Sequence, residues 1–260
     1  MANARRRQDA RLALERLESR EVPAATPWQV ESFEQAAAGT LPAGWAQHNS
    51  DPLAAIQAAT SVAQASAVGL GSSGSSLSES RAWLTTALPA DAQVSASVYL
   101  DSLIPAKIIA RGQNLDTDTP TYYAVSITRG LQLQLLRVVN GQSTVLQTLQ
   151  SNSWLSGQWV RMSLTVAGDS LAVQVFRTDT AQYLSAAGTW QNAATAAVAA
   201  TDGAITGGGF AGLGRSAQYS GDVHFDNFMV APPSTDPDPQ TLVNETFARP
   251  APGGLPSGWL

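Results

Sequence analysis

The chain has 260 residues, 44% of them hydrophobic and only 13% charged, with a formal net charge of −5. That length fits one large β domain with tails, or two small domains, and can bury a sizeable core. The acidic balance argues against nucleic acid as a partner, the absence of cysteine excludes disulfides and thiolate chemistry, and two histidines, His48 and His224, do not make a multi-histidine metal centre.

The first 25 residues differ from the rest. Arg5, Arg6 and Arg7 form a cluster, and Leu12, Leu14 and Leu17 follow with helical spacing until Pro23 stops the pattern. Read from physics alone this is a solvated, partly helical tail. From about residue 30 to residue 230 the pattern is almost purely β. Residues 92–100 alternate Val94, Ala96, Val98 and Leu100 against Ser95, Ser97 and Tyr99. Residues 122–129 put Tyr123, Val125 and Ile127 on one face. A strand at 131–139 then runs to Asn140-Gly141, a hairpin signal because both central positions of that turn favour positive φ, and 145–149 returns. Residues 158–166 place Val160, Met162, Leu164 and Val166 together, and Gly168-Asp169 turns the chain into Leu171, Val173 and Val175. Residues 193–200 read as a short helix or a loop, 207–214 as a buried strand of small residues, and 223–230 as the closing strand. The glycine-serine tract at 69–76 lacks the Lys-Ser/Thr end of a phosphate loop and reads as a flexible connection. Successive hairpins about 8–12 residues apart predict an all-β, two-sheet antiparallel jelly-roll sandwich. No run of about 18 apolar residues is present, so no membrane-spanning helix is expected.

Residues 232–242 form a proline-rich linker. Beyond it, Glu245, Phe247, Gly253, Leu255-Pro256, Gly258 and Trp259 repeat Glu31, Phe33, Gly39, Leu41-Pro42, Gly44 and Trp45 at a constant offset. The expected organisation is therefore an N-terminal targeting segment over 1–27, a sandwich over 28–231, the linker, and the start of a second copy over 243–260.

Two resemblances add to this reading. Arg11-Leu12-Ala13-Leu14-Glu15-Arg16-Leu17-Glu18-Ser19-Arg20-Glu21-Val22-Pro23 resembles the leader that opens many large secreted planctomycete proteins, which implies export to a secreted or cell-surface location. The module resembles the concanavalin A-like lectin/glucanase superfamily in its laminin-G-like branch. The residues that carry this are Glu31-Ser32-Phe33 with Leu41-Pro42-Ala43-Gly44-Trp45, then Tyr122 to Ile127, Leu131 to Leu135, Asn140-Gly141 and Gly157-Gln158-Trp159. Gly209-Phe210-Ala211-Gly212-Leu213 and Val223 to Val230 complete the order. The resemblance implies two curved sheets, one of them often holding a glycan.

It also implies where to look for sites. A structural calcium between the first and last strands would take Glu31 and Asp226, with Asp222 a weaker third candidate. The plain alternative is that Asp226-Asn227 bulges or ends a strand. Glycan hydrolysis on this fold resembles two-carboxylate chemistry, but no predicted strand carries acidic residues two or four apart. Asp116 and Asp118 have that spacing and lie in a loop, where they read as solvated turn residues. A lyase would need a Tyr or His base beside Arg, and spacing does not bring Arg81, Arg111, Arg129, Tyr99, Tyr122 and His224 together. Sugar binding uses exposed rings and planar polar groups. Alternation turns Arg81, Trp83, Tyr99, Arg111 and Tyr122 away from the core, whereas Trp45, Trp159, Phe225 and Phe228 read as packing. The expectation is a non-catalytic, monomeric carbohydrate-binding or adhesion module of a larger repeat protein, with a polysaccharide or cell-surface glycan as partner. A glycan-active enzyme on the same fold and a structural spacer are the alternatives.

Overall fold

The computed structural model describes residues 26–62 and 67–233. The leader, the second-copy start and all of the linker but its first two residues lie outside the described residues. In chain order the strands are β1 (Gln29–Glu31), β2 (Trp45–Asn49), β3 (Gln57–Thr60), β4 (Val68–Gly74), β5 (Ser80–Leu84) and β6 (Ala92–Leu100). They continue with β7 (Ala106–Gln113), β8 (Thr121–Ile127), β9 (Gln132–Val139), β10 (Gln142–Gln150), β11 (Gln158–Ala167) and β12 (Ser170–Arg177). The last are β13 (Gln182–Leu184), β14 (Trp190–Gln191), β15 (Val198–Thr201), β16 (Phe210–Arg215) and β17 (Gly221–Ala231). Among the described residues the only helical element is a 3-10 turn, Pro52–Ala54, capped by the Asp51 side chain.

Two antiparallel sheets form. The seven-stranded sheet has the order β10-β9-β8-β7-β16-β5-β2, and the ten-stranded sheet β14-β13-β12-β11-β6-β17-β4-β3, with β1 on β17 and β15 on β12. The period-two patterns explain how they pack. Val94, Ala96, Val98, Val160, Met162, Leu164, Leu171, Val173 and Val175 point inward from one sheet, and Tyr123, Val125, Ile127, Leu133, Leu135 and Leu213 from the other. Phe33, Trp45 and Phe228 close one part of this core with edge-on ring contacts at 5.7 and 4.9 Å. A fully buried Leu or Val of this kind contributes roughly 1.5–3 kcal/mol, which is why alternation dictates which face turns in.

Two local expectations are corrected. Residues 193–200 contain no helix: the segment leads into β15, which pairs with β12 from Val198 to Thr201. The glycine-serine tract is not a flexible connection but strand β4, held between β3 and β17. Its small residues permit a close approach, since a Cβ at Gly69 would lie 2.8 Å from the Phe225 carbonyl oxygen. Pairing on both sides overrides the weak strand propensity of glycine and serine. The closing strand β17 is central in space, between β6 on one side and β4 and β1 on the other. Asn140 and Gly141 turn β9 into β10 with φ of 49° and 78°, as the hairpin signal requires.

Candidate functional site

The outer face of the seven-stranded sheet is organised in rows across the strands. One row is apolar: Ala46, Trp83, Gly212, Ile109, Ala124, Leu136 and Val145 stand in register from β2 to β10. Trp83, Ile109, Ala124 and Leu136 form a second hydrophobic cluster with Tyr122, Val138 and Leu115. Leu115 comes from the loop between β7 and β8, which folds down onto this face. The adjacent row is polar: His48 pairs with Arg81, Arg81 with Gly214, Gly214 with Lys107, and Lys107 with Ser126.

Between these rows and the folded-down loop lies a cleft of about 200 Å³, lined by His48, Glu79, Arg81, Lys107, Asp118 and Tyr122 with Pro120, Val138, Gly141 and two serines. Its arginine, lysine and histidine are each held by protein partners. Arg81 anchors the loop, donating from Nε to the Leu115 carbonyl at 2.6 Å and from Nη2 to the Thr117 carbonyl. Lys107, only 9% exposed, donates to Glu79 at 3.4 Å and lines the cleft beside Tyr122. Burial pushes its ammonium down, but Tyr122 and Glu79 outweigh that, and the net shift is upward. His48 places Nδ1 3.1 Å from the Asp116 carbonyl and Nε2 3.1 Å from Asp118 Oδ1. Both partners are acceptors, so only the doubly protonated ring makes both bonds at once. Gly141 keeps the mouth open: a Cβ there would sit 2.8 Å from the Asp118 carbonyl oxygen.

The five residues that alternation turned outward separate into four groups. Arg81 and Tyr122 line the cleft. Trp83 is 7% exposed and supports it from the apolar row rather than offering a stacking ring. Arg111 lies away from it, at a bulge of β7 with φ of 50°. Its guanidinium joins Ala90, Ile205 and Gly168 carbonyls and Asp91, which makes it a staple between loops. Tyr99 is on the other sheet, against Trp159 at 5.4 Å and His224 at 6.3 Å. Spacing suggested that no Arg-Tyr-His group would form; Arg81, Tyr122 and His48 do form one, with His48 rather than His224 as its histidine. His48, Glu79, Lys107 and Asp118 were not singled out as binding residues. The one signal was that Lys107 is the sole lysine of the chain.

Glu31 and Asp226, the residues expected to hold calcium, are engaged by protein donors. Glu31 caps the Phe33 N–H at 2.9 Å. Asp226, fully buried, accepts from Ser61 Oγ at 3.1 Å and from the Asn227 N–H at 2.7 Å. Asn227 has φ of 50° at a register shift of β17, so the pair marks a bulge. Among the described residues no three His, Asp or Glu side chains gather as metal ligands, whereas calcium takes six to eight oxygens. Asp222 accepts from Ser73 Oγ instead.

No family model matches the chain, and no curated protein matches it. Solved structures do. The exoplasmic/lumenal domain of VIP36 in its Ca2+/Man2-bound form matches with a TM-score of 0.53 at 10% identity, over 81% of this chain and 89% of that one. Lectin II from Ulex europaeus matches with a TM-score of 0.51 at 8% identity, over 79% and 99%. Xylan beta-1,4-xylosidase from Bacillus Halodurans C-125 matches with 0.50 at 15% identity, over 81% of this chain but 40% of that one. At these identities the likeness is one of fold: the chain is a concanavalin A-like jelly-roll sandwich.

Proposed function

We propose that this concanavalin A-like sandwich is a non-catalytic glycan-binding module whose site is the cleft on the outer face of the seven-stranded sheet. Arg81 and Tyr122 belong to that site, with His48, Glu79, Lys107 and Asp118 beside them. The observation that carries the reading is that the cleft's polar groups are pre-engaged. The Glu79 carboxylate receives Lys107, Arg81 is held by the Leu115 and Thr117 carbonyls, and both His48 nitrogens face acceptors. Groups held this way present fixed donors and acceptors to sugar hydroxyls, and a cavity of this size takes about one sugar ring. VIP36 and Ulex europaeus lectin II, named as a mannose-bound domain and a lectin, support a glycan as ligand. A secreted or surface location accords with this reading, and among the described residues no helix is long and apolar enough to cross a membrane. Calcium is not part of the reading, because the carboxylates proposed for it serve backbone and hydroxyl donors.

The test is a panel of soluble polysaccharides titrated into the full chain, with reducing-end and unsaturated-product assays run in parallel. Binding without product supports the module. Product release, lost in Tyr122→Phe, would instead establish the second reading, a glycan-active enzyme. That reading is favoured by one observation: Arg81, Tyr122 and His48 share the cleft, as base-catalysed elimination requires.

A further inference from the structure

We infer that the cleft selects anionic sugar units, bearing a uronate carboxylate or a sulfate ester, over neutral ones; this rests on the cleft being the glycan site. The charges are layered by depth. Arg81 and Lys107 are 5% and 9% exposed and form the floor. They stand two strands apart in one row, and Gly214 between them contributes no side chain. The carboxylates are nearer the rim: the Glu79 side chain is 42% exposed and that of Asp118 is 95% exposed. A group reaching the floor therefore meets positive charge first, in a chain whose net charge is −5.

Each floor cation keeps a donor for a ligand. Arg81 uses Nε and Nη2 on the loop, while Nη1 has no acceptor among the described residues and is not enclosed by them. Lys107 has three N–H groups and, among the described residues, one hydrogen-bond acceptor, Glu79. Two charged donors flanking a gap suit a two-oxygen anion, and such bonds are about twice as strong as neutral ones. A neutral hydroxyl would be held by the same donors without the charge-assisted part.

The experiment titrates the full chain with polygalacturonate, with its methyl-esterified form, with a sulfated galactan and with neutral laminarin, each at two salt concentrations. Binding of polygalacturonate or the sulfated galactan about tenfold or more above the neutral polymers, weakening with salt, is expected, and the two acidic polymers separate carboxylate from sulfate recognition. Lys107→Met should erase the preference. Glu79→Gln, which removes a partly exposed carboxylate and leaves the fold intact, should tighten acidic binding several-fold. Equal affinity for polygalacturonate and its ester overturns this inference; if that binding still depends on Tyr122, the glycan module stands. Absence of binding to all four polymers overturns the anionic preference and the glycan reading together.

Discussion

The two outer faces of the sandwich use the same pleat to opposite ends. On the ten-stranded sheet the outward positions around Arg161 are polar and closed. Ser95, Ser97 and Ser163 are buried, and Arg161, 9% exposed, donates to Ser95 Oγ at 2.7 Å and to the Asn227 carbonyl at 3.1 Å. The Trp159 indole N–H is taken by the Val62 carbonyl. On the seven-stranded sheet the outward positions are large and apolar in one row and charged in the next, and a loop pinned by Arg81 and Leu115 leaves a cleft between them. The first face uses its polar groups on itself, so it stabilises. The second holds charges that cost desolvation and keeps them reachable, the pattern expected of a binding site.

That contrast is breakable, and the largest effect should fall on the closed face. Arg161→Ala is expected to destabilise by about 3 kcal/mol, because it strips partners from a buried hydroxyl and a buried carbonyl, while glycan affinity stays unchanged; urea unfolding beside a binding isotherm checks both. Next, Leu115→Ala should cost about 2–3 kcal/mol by opening a void under the loop, and should weaken binding too, since the same loop carries Asp118. Lys107→Met should move stability by less than about 1 kcal/mol, because Glu79 stays accessible to water, yet reduce affinity about tenfold or more. A variant at the closed face that abolishes binding, or a Lys107 variant that does not, would dissolve the distinction.

Smaller effects sharpen it. Asp202 lies at one end of the sandwich, where Tyr123 Oη at 2.6 Å, Arg137 Nη1 at 2.7 Å and the Ala204 N–H at 3.0 Å surround its carboxylate. Burial pushes its pKa up, but these donors outweigh burial and hold it below the ordinary value of 3.8. A depressed carboxyl contributes stability that is present above its unfolded pKa and lost as pH falls through the folded one. Asp202→Asn should therefore lower stability at neutral pH and flatten the acid limb below about pH 4, read from unfolding at stepped pH, without altering binding. Last, chelator should leave Tm unchanged to within about 1 °C; a clear fall would restore calcium as a ligand of this fold.

Much of the fold was legible because a strand declares its inward face by alternation. Val94 through Leu100 and Val160 through Val166 needed no partner to be read, and Asn140-Gly141 fixed one hairpin. β4 was hidden because glycine and serine show no preference without their neighbours. The cleft was hidden for a different reason. His48 reaches Asp118 over 70 positions, and Lys107 reaches Glu79 over 28. Only the spatial order β2-β5-β16-β7-β8 sets His48, Arg81 and Lys107 in one row, beside Glu79 and the loop that carries Asp118. Outward direction could be read for Arg81 and Tyr122, but alternation cannot tell one sheet from the other, so Tyr99 was grouped with them, nor can it show that Arg111, at a bulge of β7, is drawn into the loops.

The central claim is that a glycan occupies the cleft of the seven-stranded sheet. Its most direct test is amide chemical-shift mapping during titration with the oligosaccharide that binds best in the panel. The account predicts perturbation at His48, Lys107, Tyr122 and Ser143, with Tyr99, Trp159 and His224 unmoved. Shifts centred on those last three residues would contradict it and place the ligand on the other face.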